Sequence, residues 1–156
     1  ILNIRSHPQA IIMGDFNDYP TNQSILKILK AEAPPVKTND LASTTDSANA
    51  STVTPSSLKL YHLLARKAKS KNFGSYKFRG EWGLLDHLIV SGTLLNQSNH
   101  FSTSEEKANV CLLPFLLKDD EKYGDKEPFR TYKGMKYQGG ISDHLPIYTD
   151  FELIVY

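Results

Sequence analysis

Residues 9–20, Gln-Ala-Ile-Ile-Met-Gly-Asp-Phe-Asn-Asp-Tyr-Pro, restrict this chain more than any other stretch. Ala10 to Met13 form a short apolar run of the kind a buried strand needs, and Gly14 stops it. Asp15 and Asn17 follow two positions apart, so in extended geometry they share a direction. Asp18 and Pro20 read as a turn into a helix. Polar groups at the carboxyl edge of a buried strand stand where open α/β architectures place ligands. The same groups would also serve as Asx turns capping the next helix.

That helix is carried by Ile25, Leu26, Ile28 and Leu29, an apolar stripe that leaves Lys27 and Lys30 outside and ends before Pro34-Pro35. Residues 36–57 are rich in Thr, Ser, Asn and Ala and read as a long loop, with Asp40-Leu41 opening a short packed segment. A second helix is expected from Ser56 or Ser57 to about Lys69, burying Leu60, Leu63, Leu64 and Ala68. Residues 73–83 alternate aromatic with charged side chains, which predicts an antiparallel ribbon or an extended loop. Tyr76, Phe78 and Trp82 fall on one parity; Lys77, Arg79 and Glu81 fall on the other.

Leu84 to Val90 is the best candidate for a central strand. An aspartate inside it is costly unless paired or hydrogen-bonded, so Asp86 demands a partner. His87 should point to the opposite face and reads as structural. Leu112 to Leu117, broken by Pro114, is expected to be a strand edge or packed loop. Residues 118–140 read as a long exposed connection, and Tyr148 to Val155 as a last strand. Together these predict an α+β fold, a mixed and mainly antiparallel sheet with helices on one face.

The chain has 156 residues, enough for one ordinary domain, and no linker divides it. A formal net charge of +1 argues against an overwhelming electrostatic partner. The basic residues between Lys59 and Arg79 read mostly as a solvated face. One cysteine excludes an internal disulfide and a cysteine zinc cluster; Cys111, in Val-Cys-Leu-Leu, reads as a buried hydrophobe. No apolar run approaches the ~18 residues of a membrane span. No Gly-x-Ser-x-Gly elbow is present, which disfavours a serine hydrolase.

Three stretches, in this order, carry a resemblance: Ile-Met-Gly-Asp-Phe-Asn at 12–17, Leu-Asp-His at 85–87 and Ser-Asp-His-Leu-Pro at 142–146. They are similar to the endonuclease/exonuclease/phosphatase superfamily, the DNase I-like fold. Gly74 to Gly83 and Tyr132 to Pro146 resemble a bacterial branch whose substrates are mostly unassigned. The resemblance implies that residues 1–156 are the C-terminal half of such a domain, half of a four-layer α/β sandwich. A family-type metal glutamate has no counterpart before Asp15. The implied partner is the N-terminal half, and an exposed sheet face would otherwise invite self-association.

The resemblance further implies roles. Asp15 orients or deprotonates the attacking water, Asn17 hydrogen-bonds that water or a phosphoryl oxygen, and Asp86 orients His144 toward the scissile phosphate. Asp143 faces a divalent metal, Mg²⁺ or Mn²⁺, for which carboxylate oxygens are suitable ligands. Arg79, Lys77 and Trp82 are substrate-binding candidates because they adjoin the Asp86 strand, with Lys133 and Lys136 as weaker ones. The expected activity is metal-dependent phosphoester hydrolysis in the intact parent, with this chain inactive alone and small or lipid-linked phosphoesters favoured over duplex DNA. A non-catalytic binding domain on the same fold is the alternative. Localisation stays open, with a bacterial secreted or periplasmic setting as the expectation.

Overall fold

The computed structural model describes residues 6–36 and 55–155; the segment expected at Asp40-Leu41 lies outside them. The first strands are β1 (Ile11–Asp15), β2 (Leu60–His62), β3 (Tyr76–Phe78), β4 (Glu81–Gly83) and β5 (Asp86–Ser91). They are followed by β6 (Phe101–Ser102), β7 (Ala108–Val110), β8 (Leu117–Asp119) and β9 (Lys126–Pro128). The last are β10 (Tyr132–Lys133), β11 (Lys136–Tyr137), β12 (Ile147–Thr149) and β13 (Glu152–Leu153). Every ladder between them is antiparallel, and among the described residues one parallel bridge joins Glu32 to Tyr61. The fold is thus mixed α+β with mostly antiparallel strands.

β5 is central, hydrogen-bonded to β1 on one edge and β2 on the other. Both of its faces are buried, as its apolar sequence requires. Leu88 and Val90 pack with Leu63, Leu64, Leu94 and Leu145. Ile89, on the opposite face, packs with Ile25, Ala31, Ile12 and Phe16. Truncating Leu88, which is 1% exposed, would cost about 2–5 kcal/mol. On β1 only Ile12 turns into this core; Ile11 and Met13 are exposed.

The helix after Pro20 is a single six-residue segment, Ser24–Leu29, closed by Lys30 in the left-handed region at φ 54°. It is the only helical element longer than four residues among the described ones. Ile25 alone of its stripe is fully buried; Leu26 and Ile28 are exposed.

The second expected helix is absent. Leu60, Tyr61 and His62 are strand β2, and in the rest of the expected span only one tight turn, Lys67–Lys69, is helical. Leu60, Leu63, Leu64 and Ala68 mimic helical spacing, but the open edge of β5 offers hydrogen bonds that a helix would forgo. Leu63 N–H extends that pairing to Leu88 C=O at 2.9 Å. With one six-residue helical segment and otherwise only turns of three or four residues, a layer of helices on one face is not formed by the described residues.

Residues 118–140 are also not a plain exposed connection. They hold two hairpins, β8–β9 and β10–β11, and bury Asp120 and Glu127.

The expected ribbon at 73–83 is present, but its faces differ from the parity reading. Arg79 (φ 52°) and Gly80 (φ 87°) form a two-residue turn with both φ positive, so Phe78 pairs with Glu81 and Lys77 with Trp82. A two-residue turn puts residues of opposite parity on one face. Lys77 and Trp82 therefore share the inner side, with the ammonium 5.8 Å from the indole centroid, while Phe78 is exposed.

Candidate active site

Asp15 and Asp86 are cross-strand partners at the end of the β1–β5 ladder. Phe16 N–H donates to Leu85 C=O at 3.0 Å, so the neighbouring Asp15–Asp86 pair is the non-hydrogen-bonded kind, whose side chains stand closest. Gly14, at φ 137°, supplies a backbone conformation there that a side chain would strain. Asn17 takes φ 53°, which asparagine tolerates, and its amide donates to Asp15 Oδ1 at 2.8 Å. The Asx turn and the ligand-bearing strand end are thus the same structure.

His144 arrives from the loop before β12. A single antiparallel bridge ties it to Tyr76, and the tyrosine ring lies 4.9 Å from the imidazole. His144 Nδ1 is 2.7 Å from Asp86 Oδ2, so Nδ1–H donates to the carboxylate and Nε2 is left for other partners. The partner that Asp86 demanded is His144, with a second in Ser75, whose Oγ–H donates to the same carboxylate oxygen at 2.5 Å. Ser75 C=O also accepts from the Leu145 amide at 2.7 Å. One serine therefore fixes both halves of the dyad. Nothing in Gly-Ser-Tyr marked it, because its value comes from a strand pairing and not from local pattern.

Asp15, Asp86 and His144 each offer a ligand atom, and these lie within 4.8 Å of one another. Two carboxylates and an imidazole in that space are a donor set suited to a divalent cation. Asn17 stands exposed on the adjoining loop, and Asp143, also exposed, precedes His144 outside this cluster. Arg79 is exposed at the β3–β4 turn, and Trp82 is half-buried on the core. Lys77 is enclosed: its ammonium donates to Gly124 C=O at 2.9 Å and Lys126 C=O at 3.0 Å, and pairs with Asp120 at 3.3 Å. Its ammonium is thus committed to structural partners within the fold.

Behind the cluster lies an ordered chain of two buried histidines. Leu64 N–H can only donate, so His62 Nδ1 accepts at 3.1 Å and the proton of His62 is on Nε2. That Nε2–H donates to His87 Nδ1 at 2.5 Å, and His87 Nε2–H donates to Asp18 C=O at 2.8 Å. Both rings are neutral in this arrangement. Burial, reinforced by the repulsion that two protonated rings side by side would suffer, holds His62 down to about 3, and burial also lowers His87. The Asp18 side chain accepts from Ser24 Oγ and Asn22 Nδ2, each at 2.5 Å, which lowers its carboxyl from the usual range. The loop from Asp15 to Asp18 is thereby tied to the strand that carries Asp86.

No curated protein and no solved structure matches the chain. The family model described as "Endonuclease/Exonuclease/phosphatase family" matches residues 1–153, which include the strand end at Asp15, the strand of Asp86 and the loop of His144. On that match over nearly its whole length, the chain belongs to the endonuclease/exonuclease/phosphatase family.

Proposed function

We propose that the parent of this chain is a metal-dependent phosphoesterase, cleaving phosphodiesters or phosphomonoesters. The observation that carries the reading is the meeting of Asp15, Asp86 and His144, from three distant parts of the chain, with His144 Nδ1 on the Asp86 carboxylate. Asp86 fixes the direction of His144 by accepting from Nδ1–H, so that Nε2 is the nitrogen that serves the phosphoryl group: it accepts a proton as the neutral ring, and as the imidazolium it donates a hydrogen bond or the proton to an oxygen there. Asp15 holds the attacking water and accepts its proton, and the Asn17 carboxamide steadies that water or a phosphoryl oxygen. A divalent cation, Mg²⁺ or Mn²⁺, supplies neutralisation of phosphate charge when bound. Asp15 and the Asp86 oxygen not used by His144 would hold it, with Asp143 as the further carboxylate.

The chain is read as the C-terminal half of a DNase I-like four-layer sandwich. The exposed Ile11 and Met13 beside Asp15 support that reading, since an apolar strand face needs cover from the other half or from a second copy. On this reading the chain alone is inactive, and small or lipid-linked phosphoesters are favoured over duplex DNA. No helix among the described residues is long and apolar enough to cross a membrane. The test is turnover of a general phosphodiester by the full-length parent with Mg²⁺, with EDTA, and in the variants Asp86→Asn and His144→Ala. Metal-dependent turnover lost in both variants supports the proposal; absence of turnover with Mg²⁺ and Mn²⁺ alike favours a non-catalytic binding domain.

A further inference from the structure

The β3–β4 hairpin and the β8–β9 hairpin enclose a cleft of about 220 Å³. Its lining holds five cationic residues, Lys77, Arg79, Lys122, Arg130 and Lys133, against two carboxylates, Asp120 and Glu127. The carboxylates are already committed: Asp120 to Lys77 at 3.3 Å and Glu127 to Lys133 at 3.2 Å. Arg79, Lys122 and Arg130 have no carboxylate partner among the described residues. Each lies instead over an aromatic ring: Arg79 on Phe78 at 5.2 Å, Lys122 on Tyr123 at 4.9 Å and Arg130 on Tyr76 at 5.2 Å. Three like charges around one small space repel unless an anion joins them.

Two further observations concern Arg130. Arg130 spends Nη2 on Lys77 C=O, but its Nε–H is buried with no partner, a donor whose desolvation nothing offsets. The ring beneath Arg130 is Tyr76, which also lies 4.9 Å from His144. One tyrosine ring thus lies beside both Arg130 of the cleft and His144 of the candidate active site. Gly80 holds the two walls together: a Cβ there would stand 2.9 Å from Tyr123 Cβ, so only glycine lets the turn carrying Arg79 close on the loop carrying Lys122.

We propose that this cleft is a second anion subsite, which takes a phosphate group carried on the substrate away from the bond that is cut. The reading rests on the phosphoesterase proposal and names its substrate class: phosphoesters with at least two phosphate groups, of which His144 meets one and the Arg79–Lys122–Arg130 cleft the other. Guanidinium groups suit the second role because their fixed N–H donors match phosphate oxygens.

The experiment has two arms. In the first, inorganic phosphate is titrated into this chain and followed by amide NMR shifts. Saturable shifts centred on Gly80, Tyr123 and Arg130 are expected, weakened at least about fivefold in Arg79→Ala/Lys122→Ala, whose side chains are exposed, and in Arg130→Gln. Shifts absent from the cleft, or unchanged in affinity in the double variant, overturn the subsite. In the second arm the full-length parent is given a phosphoester with and without a second phosphate. The double variant should raise KM for the doubly phosphorylated substrate at least about fivefold with kcat unchanged, and leave the other substrate unaffected. An equal effect on both substrates overturns the proposal while leaving hydrolysis standing. A parent that turns over neither defeats the phosphoesterase reading, and the phosphate titration then still decides whether the cleft binds an anion.

Discussion

The carboxylates of Asp15 and Asp86 oppose each other as a non-hydrogen-bonded pair on adjacent antiparallel strands. Like charges in that relation destabilise a ladder unless a cation lies between them. Adding Mg²⁺ or Mn²⁺ to this chain should therefore raise its melting temperature. At ten times Kd the gain is about 1.4 kcal/mol, a shift of roughly 3–6 °C. Asp15→Asn should melt no lower than the native chain without metal and should lose most of the metal response. A native chain whose unfolding curve ignores both ions at tens of millimolar would remove the cation-binding role of the pair.

The histidine chain fixes both tautomers, and long-range ¹H–¹⁵N correlation spectra read them directly. Both rings should be neutral with the proton on Nε2 and the bare nitrogen at Nδ1. An Nδ1–H form of either ring contradicts the donor order that begins at Leu64.

Stability should fall in acid because of the same pair. His62 titrates near 3 in the folded chain against about 6.5 when free. Between those values the unfolded state binds the extra proton, so folding stability increases with pH in that window. The contribution is fully present above about 6.5 and is lost as pH falls toward 3, at up to about 1.4 kcal/mol per pH unit for this one residue. His87, lowered in the same direction, steepens the slope. Urea melts of the native chain and of His62→Phe between pH 7 and pH 4 should show a markedly shallower dependence in the variant.

Ser75→Ala should leave the fold intact and lower the parent's turnover. The backbone contact from Ser75 C=O to the Leu145 amide survives the substitution, whereas the hydroxyl on Asp86 does not. Loss of a group that orients a site residue commonly costs about tenfold or more in activity. Thr in its place keeps a hydroxyl and should recover part of that loss; a variant as active as the native parent would dismiss the orienting role.

Lys77→Met tests whether this lysine is structural. It would strand two carbonyls and the buried Asp120 carboxylate, so the chain should melt roughly 5–10 °C lower. Lys122→Met, at an exposed position, should change it by about a degree at most.

The sequence exposed most of the candidate dyad and less of its support. Asp86 was legible because a carboxylate within Leu84 to Val90 needs a partner, and the family motif named His144 for it. β1 and β5 were legible because short apolar runs bounded by glycine or polar residues leave few alternatives. β2 was hidden by leucines at helical spacing, and only the free edge of β5, a tertiary fact, decides between the two. Lys77 was misleading for a related reason. Alternation in sequence assigns faces within one strand, but a two-residue turn exchanges them across the hairpin. Ser75 and Arg130 carried no local signal, since each acts through residues brought to it by pairing.

Asp86 and His144 are 58 residues apart, and Asp15 comes from the opposite end of the described chain. Contacts between such distant positions cannot form until the intervening loops have closed, and that closure is the slow part of assembling an antiparallel fold. β1 must dock on β5 before the two aspartates meet, and β12 must follow before His144 reaches them. A chain halted at any earlier stage holds one ligand atom or two, never three. Cation affinity in this protein should therefore rise late in refolding, after most secondary structure has formed, so a metal-sensitive signal would serve as a clock for the final docking step.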